Sequence, residues 1–412
     1  MKHIRILLIA IIFLLAGTMA RAPEGEAAQH PEGEVFRARV LEVKETTGES
    51  AVQDLVKTSQ LITVEILTGP LKGKKIEVPN ATTGNPAYDL HFQPGDQVIL
   101  WAEMENGRLR DVFISDYARD RYTRYLAIAF ILCLFVIGGR KGIKAVVTLG
   151  ITGLAIAFVL LPLLLKGYNP IGVTVLVCAA VSALTFAVVG GINNKSIAAI
   201  IGTTGGVLVA GLLAFAAGTA ARLTGFAEEE AAMLLYIPQE TFFDFRGLLF
   251  AGIIIGALGA VMDVAMSIAS AIEEVKKANP SAGRLTLVRA GMNVGKDVMG
   301  TMSNTLILAY TGSAIPMLLL FMAYQTPLLK VINLDLVATE IVRALAGSIG
   351  LIIAIPITAL TAGFLINRPR KRRFVAKKYP EAPASRGRIK QAEVPEPDGW
   401  ANYPRPNNLP HR

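Results

Sequence analysis

Two cysteines and four histidines among 412 residues leave little material for a disulfide framework or a metal centre. Cys133 and Cys178 each lie inside an apolar stretch, and His3, His30, His91 and His411 are scattered without ligand spacing. No structural disulfide, zinc site, metal or other cofactor is therefore expected. Charge is scarce as well: 18% of the residues are Asp, Glu, Lys or Arg, against about 25% in soluble domains, while 52% are hydrophobic. That balance excludes a large soluble core. No glycine-rich loop ends in Gly-Lys-Ser/Thr, which argues against a nucleotide site. The net charge of +9 does not point to nucleic acid, because the basic residues gather beside apolar segments, where they report membrane topology.

What the chain has is long apolar runs. Residues 1–22, "MKHIRILLIAIIFLLAGTMARA", carry a basic start and a short apolar stretch before small residues, the layout of a signal peptide or, if uncleaved, an N-terminal anchor. Residues 33–116 then alternate polar and apolar positions in "EVFRARVLEV", "QLITVEIL", "KKIEVPN", "DQVILWAE" and "RLRDVFISD", with Gly-Pro, Pro-Gly-Asp and Asn-Gly at the breaks. Five short strands predict a small all-β domain, OB-like or SH3-like, lying outside the cytoplasm. Seven apolar runs follow within 123–366: Thr123–Gly139, Ile143–Leu165, Pro170–Ile192, Ser196–Ala221, Gly247–Ile272, Thr301–Tyr324 and Ile341–Ile366. The fold class is thus an α-helical polytopic membrane protein of about seven transmembrane helices, preceded by an exported β-domain. With the tail counted only to Lys378, the pieces that would face the cytoplasm hold 16 Lys and Arg and the outer loops four, which puts the basic, proline-rich and disordered tail 367–412 in the cytoplasm.

Polar residues inside these runs are the candidate site. Gly252, Gly256, Gly259, Asp263, Ser267 and Ser270 fall on one stripe of the fifth run, and small residues at such spacing predict a face turned into the bundle against another helix. Asp263 would then lie about a turn past the midplane towards the cytoplasm. Asn293, Asp297, Thr301 and Asn304 form a second stripe, with Gly291, Gly295 and Gly300 interrupting the helix signal, so a broken or surface-lying helix is expected there. Lys296 either pairs with Asp263, as the nearest basic candidate, or snorkels to the surface. Two other features stand out. The outer loop Ala227–Gly247 combines an acidic start, a short apolar run and an aromatic-acidic patch (Gln239, Glu240, Phe242, Phe243, Asp244, Arg246), read as an interfacial helix, a re-entrant segment or a cation-gathering mouth. Glu340 and Arg343 are spaced as a local helical ion pair.

At "TFFDFRGLLFAGIIIGALGAVMDVAMSIASAIEEV" and "GMNVGKDVMGTMSNTLILAYTGSAIPMLLL" the chain resembles the YibE/F-like family of bacterial polytopic membrane proteins. The resemblance covers about Val35 to Ile366, including "LTGPLKGKKIEVPN", and is most specific over Gly256 to Tyr310. It implies an exported N-terminal domain and a multi-span membrane domain, and it brings no catalytic residue. The residues themselves support a transporter or permease-like component, with Asp263, Ser267, Asn293, Asp297, Thr301 and Asn304 along an ion or solute path and Gly252, Gly256 and Gly259 packing helices. The bland reading of Asp263 is a buried carboxyl that glues helices. The alternatives are a non-catalytic envelope scaffold or assembly protein docking through its β-domain and, remotely, an intramembrane aspartyl protease, although Asp263 and Asp297 lack the Gly-x-Gly-Asp and Tyr-Asp motifs of such enzymes. No enzymatic activity is expected. The expected partners are the lipid bilayer, an envelope protein and further copies of the chain.

Overall fold

Alternation of side chains above and below a pleated strand explains the first domain. In a computed structural model that describes residues 33–46, 58–83, 85, 87, 89–105, 108–236 and 243–366, five strands form one antiparallel sheet. They are β1 (Gly33–Thr46), β2 (Thr58–Ile66), β3 (Lys75–Thr82), β4 (Gln97–Glu105) and β5 (Arg108–Tyr117). The expected signal or anchor and the cytoplasmic tail lie outside the described residues. The strand order is β3-β2-β1-β4-β5, so the first four strands have the Greek-key arrangement. β3 also approaches β5, which nearly closes the sheet into a barrel. Every second residue points inward: Phe36, Ala38 and Val40, then Ile62, Val64 and Ile66, then Val98, Leu100 and Ala102 are all buried. A register shift between Val40 and Glu42 bends β1 as a barrel requires. Asp96 closes the turn before β4 by accepting from the Gln93 N–H at 2.8 Å.

Helix α1 (Asp120–Ala155) leaves the β-domain directly, and Asp120 in its first turn pairs with Arg37 of β1 at 2.6 Å. It runs through a π turn (Ile156–Leu160) into α2 (Leu161–Leu165). Then come α3 (Pro170–Gly190), α4 (Asn194–Ala220), the short α5 (Glu229–Met233) and α6 (Phe245–Ala278). The chain continues with α7 (Arg284–Ser313), α8 (Ile315–Ala323), α9 (Leu328–Val331) and α10 (Asp335–Ile366). Asn169, Asn193 and Asp244 cap α3, α4 and α6, each accepting a backbone N–H at 2.9 Å.

The seven apolar runs fall in fewer long helical stretches than runs. Among the described residues five helical runs are long and apolar enough to cross a bilayer, or six when α7 and α8, bent by 58°, count as one. The first two runs lie in the 46-residue stretch Asp120–Leu165, which is broken at Gly139: a Cβ on Gly142 would run into the Leu134 carbonyl eight residues earlier, so the chain doubles back there. The φ of 50° and ψ of −128° at Gly139 suit glycine alone. The polar segment around Gly291, Gly295 and Gly300, by contrast, is not broken; it belongs to continuous α7, and the bend falls at Ala314, just before Pro316. Gly291 and Gly295 serve packing instead. A Cβ on Gly291 would press on Ile272 and Ala359, and one on Gly295 on Ile355 and Ile268, so α7 lies close against α6 and α10.

The centre of the helical region is the crossing of α4 and α10. A Cβ at Gly206 would lie 2.7 Å from Ala354 Cβ and 2.9 Å from the Gly350 carbonyl, and one at Gly350 would lie 2.7 Å from the Gly206 carbonyl. Only glycine admits that approach. α6 completes the core with Ile253, Ile254, Ala257, Val261, Val264, Ala265 and Ile268, all buried.

Candidate functional site

Those buried α6 residues define a face, and the stripe carrying Asp263 lies opposite to it. Gly252, Gly256, Gly259, Asp263 and Ser267 are all exposed, with Ser270 half-buried. Nothing lies within 4 Å of a Cβ placed on Gly252 or Gly259; only Gly256 meets a neighbour, the Tyr310 hydroxyl of α7 at 2.5 Å. The expectation that this stripe faces the bundle interior is therefore overturned. The larger apolar residues on the other side of α6 bury more surface, and they take the inside. The expected packing role holds within the chain for Gly256 alone.

The depth of Asp263 follows from the contacts. Val261 packs at Gly206, where α4 and α10 cross near the middle of both helices. Asp263 is two residues further, about 3 Å along the axis at ~1.5 Å per residue, so it stands near the middle of the bundle's length. A carboxylate there costs roughly 2.5–3.5 kcal/mol against lipid on insertion scales.

The second stripe is also outward. Leu287, Gly291, Gly295 and Leu306 are the buried side of α7, and Asn293, Lys296, Asp297, Gly300, Thr301 and Asn304 are exposed. Because Gly291 meets Ile272, Gly295 meets Ile268 and Tyr310 meets Gly256, α7 runs antiparallel to α6, and Asp263 comes level with Gly300 and Thr301. The Thr301 hydroxyl donates to its own helix at Val298 O, 2.9 Å away. Among the described residues Asp263, Ser267, Asn293, Lys296, Asp297 and Asn304 make no side-chain hydrogen bond or ion pair, so the expected Lys296–Asp263 pair does not form. The two stripes share depth and the outer surface; they do not enclose a channel within one chain.

At the end of the bundle near α5, the sequence reading left a cluster half assembled. The Glu340–Arg343 pair forms at 2.8 Å, but the same guanidinium also holds Glu228, 115 residues away, at 2.8 Å. Helical spacing revealed the first pair; no local signal could reveal the second. Arg343 and Glu340 side chains are each 19% exposed, and Arg343 Nε and Glu340 Oε2 find no hydrogen-bond partner among the described residues. Arg343, Glu228 and Glu230 border a cavity of about 390 Å³ whose other walls are mainly apolar, including Leu160, Leu164 and Leu248. Gly252, the first member of the Asp263 stripe, lines the same cavity. In the loop beside it, Glu229–Met233 is helical and Leu234–Tyr236 a 3₁₀ turn. Gln239, Glu240 and Phe242 lie outside the described residues, whereas Asp244 serves as the α6 cap.

The opposite end of the bundle is basic. Lys195 pairs with Glu273 at 3.1 Å, and Lys144 reaches the Val189 carbonyl at 3.5 Å, which brings residues just after the Gly139 break to the α3–α4 connection. Among the described residues no group of three or more His, Cys, Asp or Glu is placed to hold a metal ion.

Two family models match the chain: residues 126–368 match that of the YibE/F-like protein, and residues 27–117 match the YibE/F family N-terminal domain. No curated protein and no solved structure matches.

Proposed function

Since the chain belongs to the YibE/F-like family and is a multi-pass membrane protein, we propose that it is a permease-like component that moves a cation or small polar solute along the outer face of α6 and α7. The observation that carries this reading is Gly252. It belongs both to the charged cavity of Glu228, Glu230 and Arg343 and to the stripe that continues through Gly256 and Gly259 to Asp263. The cavity is a vestibule, the glycines are a floor without side chains, and Asp263 is the polar station at the midplane, followed by Ser267 and Asp297. Two features support seven crossings with the β-domain outside. A 46-residue helix would be about 69 Å long, over twice the ~30 Å hydrocarbon thickness, which supports reading the break at Gly139 as a turn between two spans. Lys144 at the α3–α4 connection supports a reading in which Arg140 to Lys144 lie on the basic, cytoplasmic side. The test is reconstitution of the full chain into liposomes with a screen of ion and solute flux: a wild-type flux lost in Asp263→Asn is expected, and a flux indifferent to it removes Asp263 from the path.

A second reading, docking through the β-domain, has its own observation. Val35, Trp101 and Phe113 are direct cross-strand neighbours on β1, β4 and β5, and Val35 and Phe113 are 64% and 53% exposed. Such an apolar row suits a protein partner, and the Greek-key order favours the OB-like form of the domain. If Val35→Ser with Phe113→Ser abolished function while Asp263→Asn did not, scaffold would replace permease.

A further inference from the structure

The polar face of α6 and α7 is open in a single chain, although it lies at bilayer depth. Gly295 packs on Ile355, eleven residues from the end of α10 and so about 16 Å inside it, which places Lys296 and Asp297 within the hydrocarbon. Elsewhere the outer surface is what lipid requires: Leu208, Leu212 and Phe215 on α4 and Leu132, Phe135 and Val136 on α1 are exposed and apolar.

We propose that this face is covered by a second copy of the chain. A two-fold axis along the membrane normal leaves each residue of the partner at the same depth as its counterpart. At one depth α7 carries both signs of charge, so Lys296 of one copy meets Asp297 of the partner subunit. Asn293 and Asn304 meet their own counterparts, and an amide, being donor and acceptor at once, is complementary to itself. Gly300, with nothing within 4 Å of a Cβ, allows the two α7 backbones to approach. The second copy also closes the path that the chain leaves open, and for that use alone the inference rests on the permease reading.

The test is oxidative cross-linking of the full chain in native membranes. Cys133 is exposed and Cys178 buried, so both are first replaced by serine, and single cysteines are introduced by Ser267→Cys, Thr301→Cys and, as control, Leu212→Cys. Copper-phenanthroline should give a band at twice the 44.0 kDa chain mass from Thr301→Cys and Ser267→Cys but not from Leu212→Cys. Adding Lys296→Gln should weaken that band. Three results would overturn the inference: cysteines at 267 and 301 that react with a small water-soluble thiol reagent yet never cross-link, an adduct of a different mass, or equal cross-linking of the control. The readout does not involve flux, so a failed transport assay with intact cross-linking rejects the permease reading alone.

Discussion

A methyl group added at Gly206 or Gly350 has no space to occupy. At Gly206 it would stand 2.7 Å from Ala354 Cβ and 2.9 Å from both the Gly350 carbonyl and Val261 Cγ1; at Gly350, 2.6 Å from Ala210 Cβ and 2.7 Å from the Gly206 carbonyl. Carbon atoms rest about 3.5–4.0 Å apart, so α4 and α10 must separate by roughly 1 Å. Most of these neighbours are Cβ atoms or backbone, which cannot rotate aside. Overpacking of this kind costs about 1–3 kcal/mol, and the better helix propensity of alanine returns about 1 kcal/mol, leaving a net loss of up to about 2 kcal/mol for either substitution. The two should not add, because the helices separated for one methyl group already make room for the other. Gly205→Ala is the internal control, since its closest neighbour is the flexible Cδ1 end of Ile357. Cys178, 2% exposed on α3, provides the assay: in a Cys133→Ser background, its reaction with a thiol-reactive dye on heating reports unfolding. Melting temperatures lowered by several degrees in each single variant are expected. If both melt like wild type while Gly205→Ala does not, the α4–α10 crossing is wrong.

Three further outcomes follow from local geometry. Arg343→Gln leaves Glu340 mostly buried without its cation and should destabilise by about 3–5 kcal/mol in the same melt, with Glu340→Gln in addition recovering part of the loss; a wild-type melting temperature would show that the guanidinium is dispensable. Gly139→Ala forces a side chain onto φ 50°, ψ −128° and should cost about 1–3 kcal/mol, whereas Gly138→Ala, equally free of neighbours but without a positive φ, should be tolerated. In the β-domain, hydrogen bonds from the Arg119 side chain and the Tyr117 N–H hold the Asp116 carboxyl below its ordinary 3.8. A carboxyl lowered in the folded state contributes stability that is present above pH 3.8 and is lost as pH falls through the lowered value. Acid titration followed by Trp101 fluorescence should therefore show less acid sensitivity in Asp116→Asn than in wild type.

Much of this architecture was legible because short-range patterns determine it. The alternation in "EVFRARV" and "DQVILWA" predicts β1 and β4 with the inward residues the structure buries, and the Asn and Asp preceding α3, α4 and α6 are ordinary caps. What misled was the meaning of small residues. Glycines at four-residue spacing permit close packing, but the Gly206–Gly350 crossing uses that permission and the Gly252–Gly259 stripe does not, and periodicity cannot distinguish the two. The direction of α6 was decided by which face holds Ile253, Val261 and Ile268, a competition between faces rather than a property of one. Glu228 reached Arg343 through the tertiary fold alone, since 115 residues separate them.

The most direct test of the account is whether water, not lipid, reaches the outer face of α6 and α7. Single cysteines at Asp263, Thr301 and Leu212 in the full chain lacking Cys133 and Cys178, in sealed membranes, would be challenged with a small membrane-impermeant thiol reagent. The account predicts reaction at positions 263 and 301 and none at 212. Silence at 263 and 301, with those positions instead quenched by lipid-borne probes as position 212 is, would contradict it.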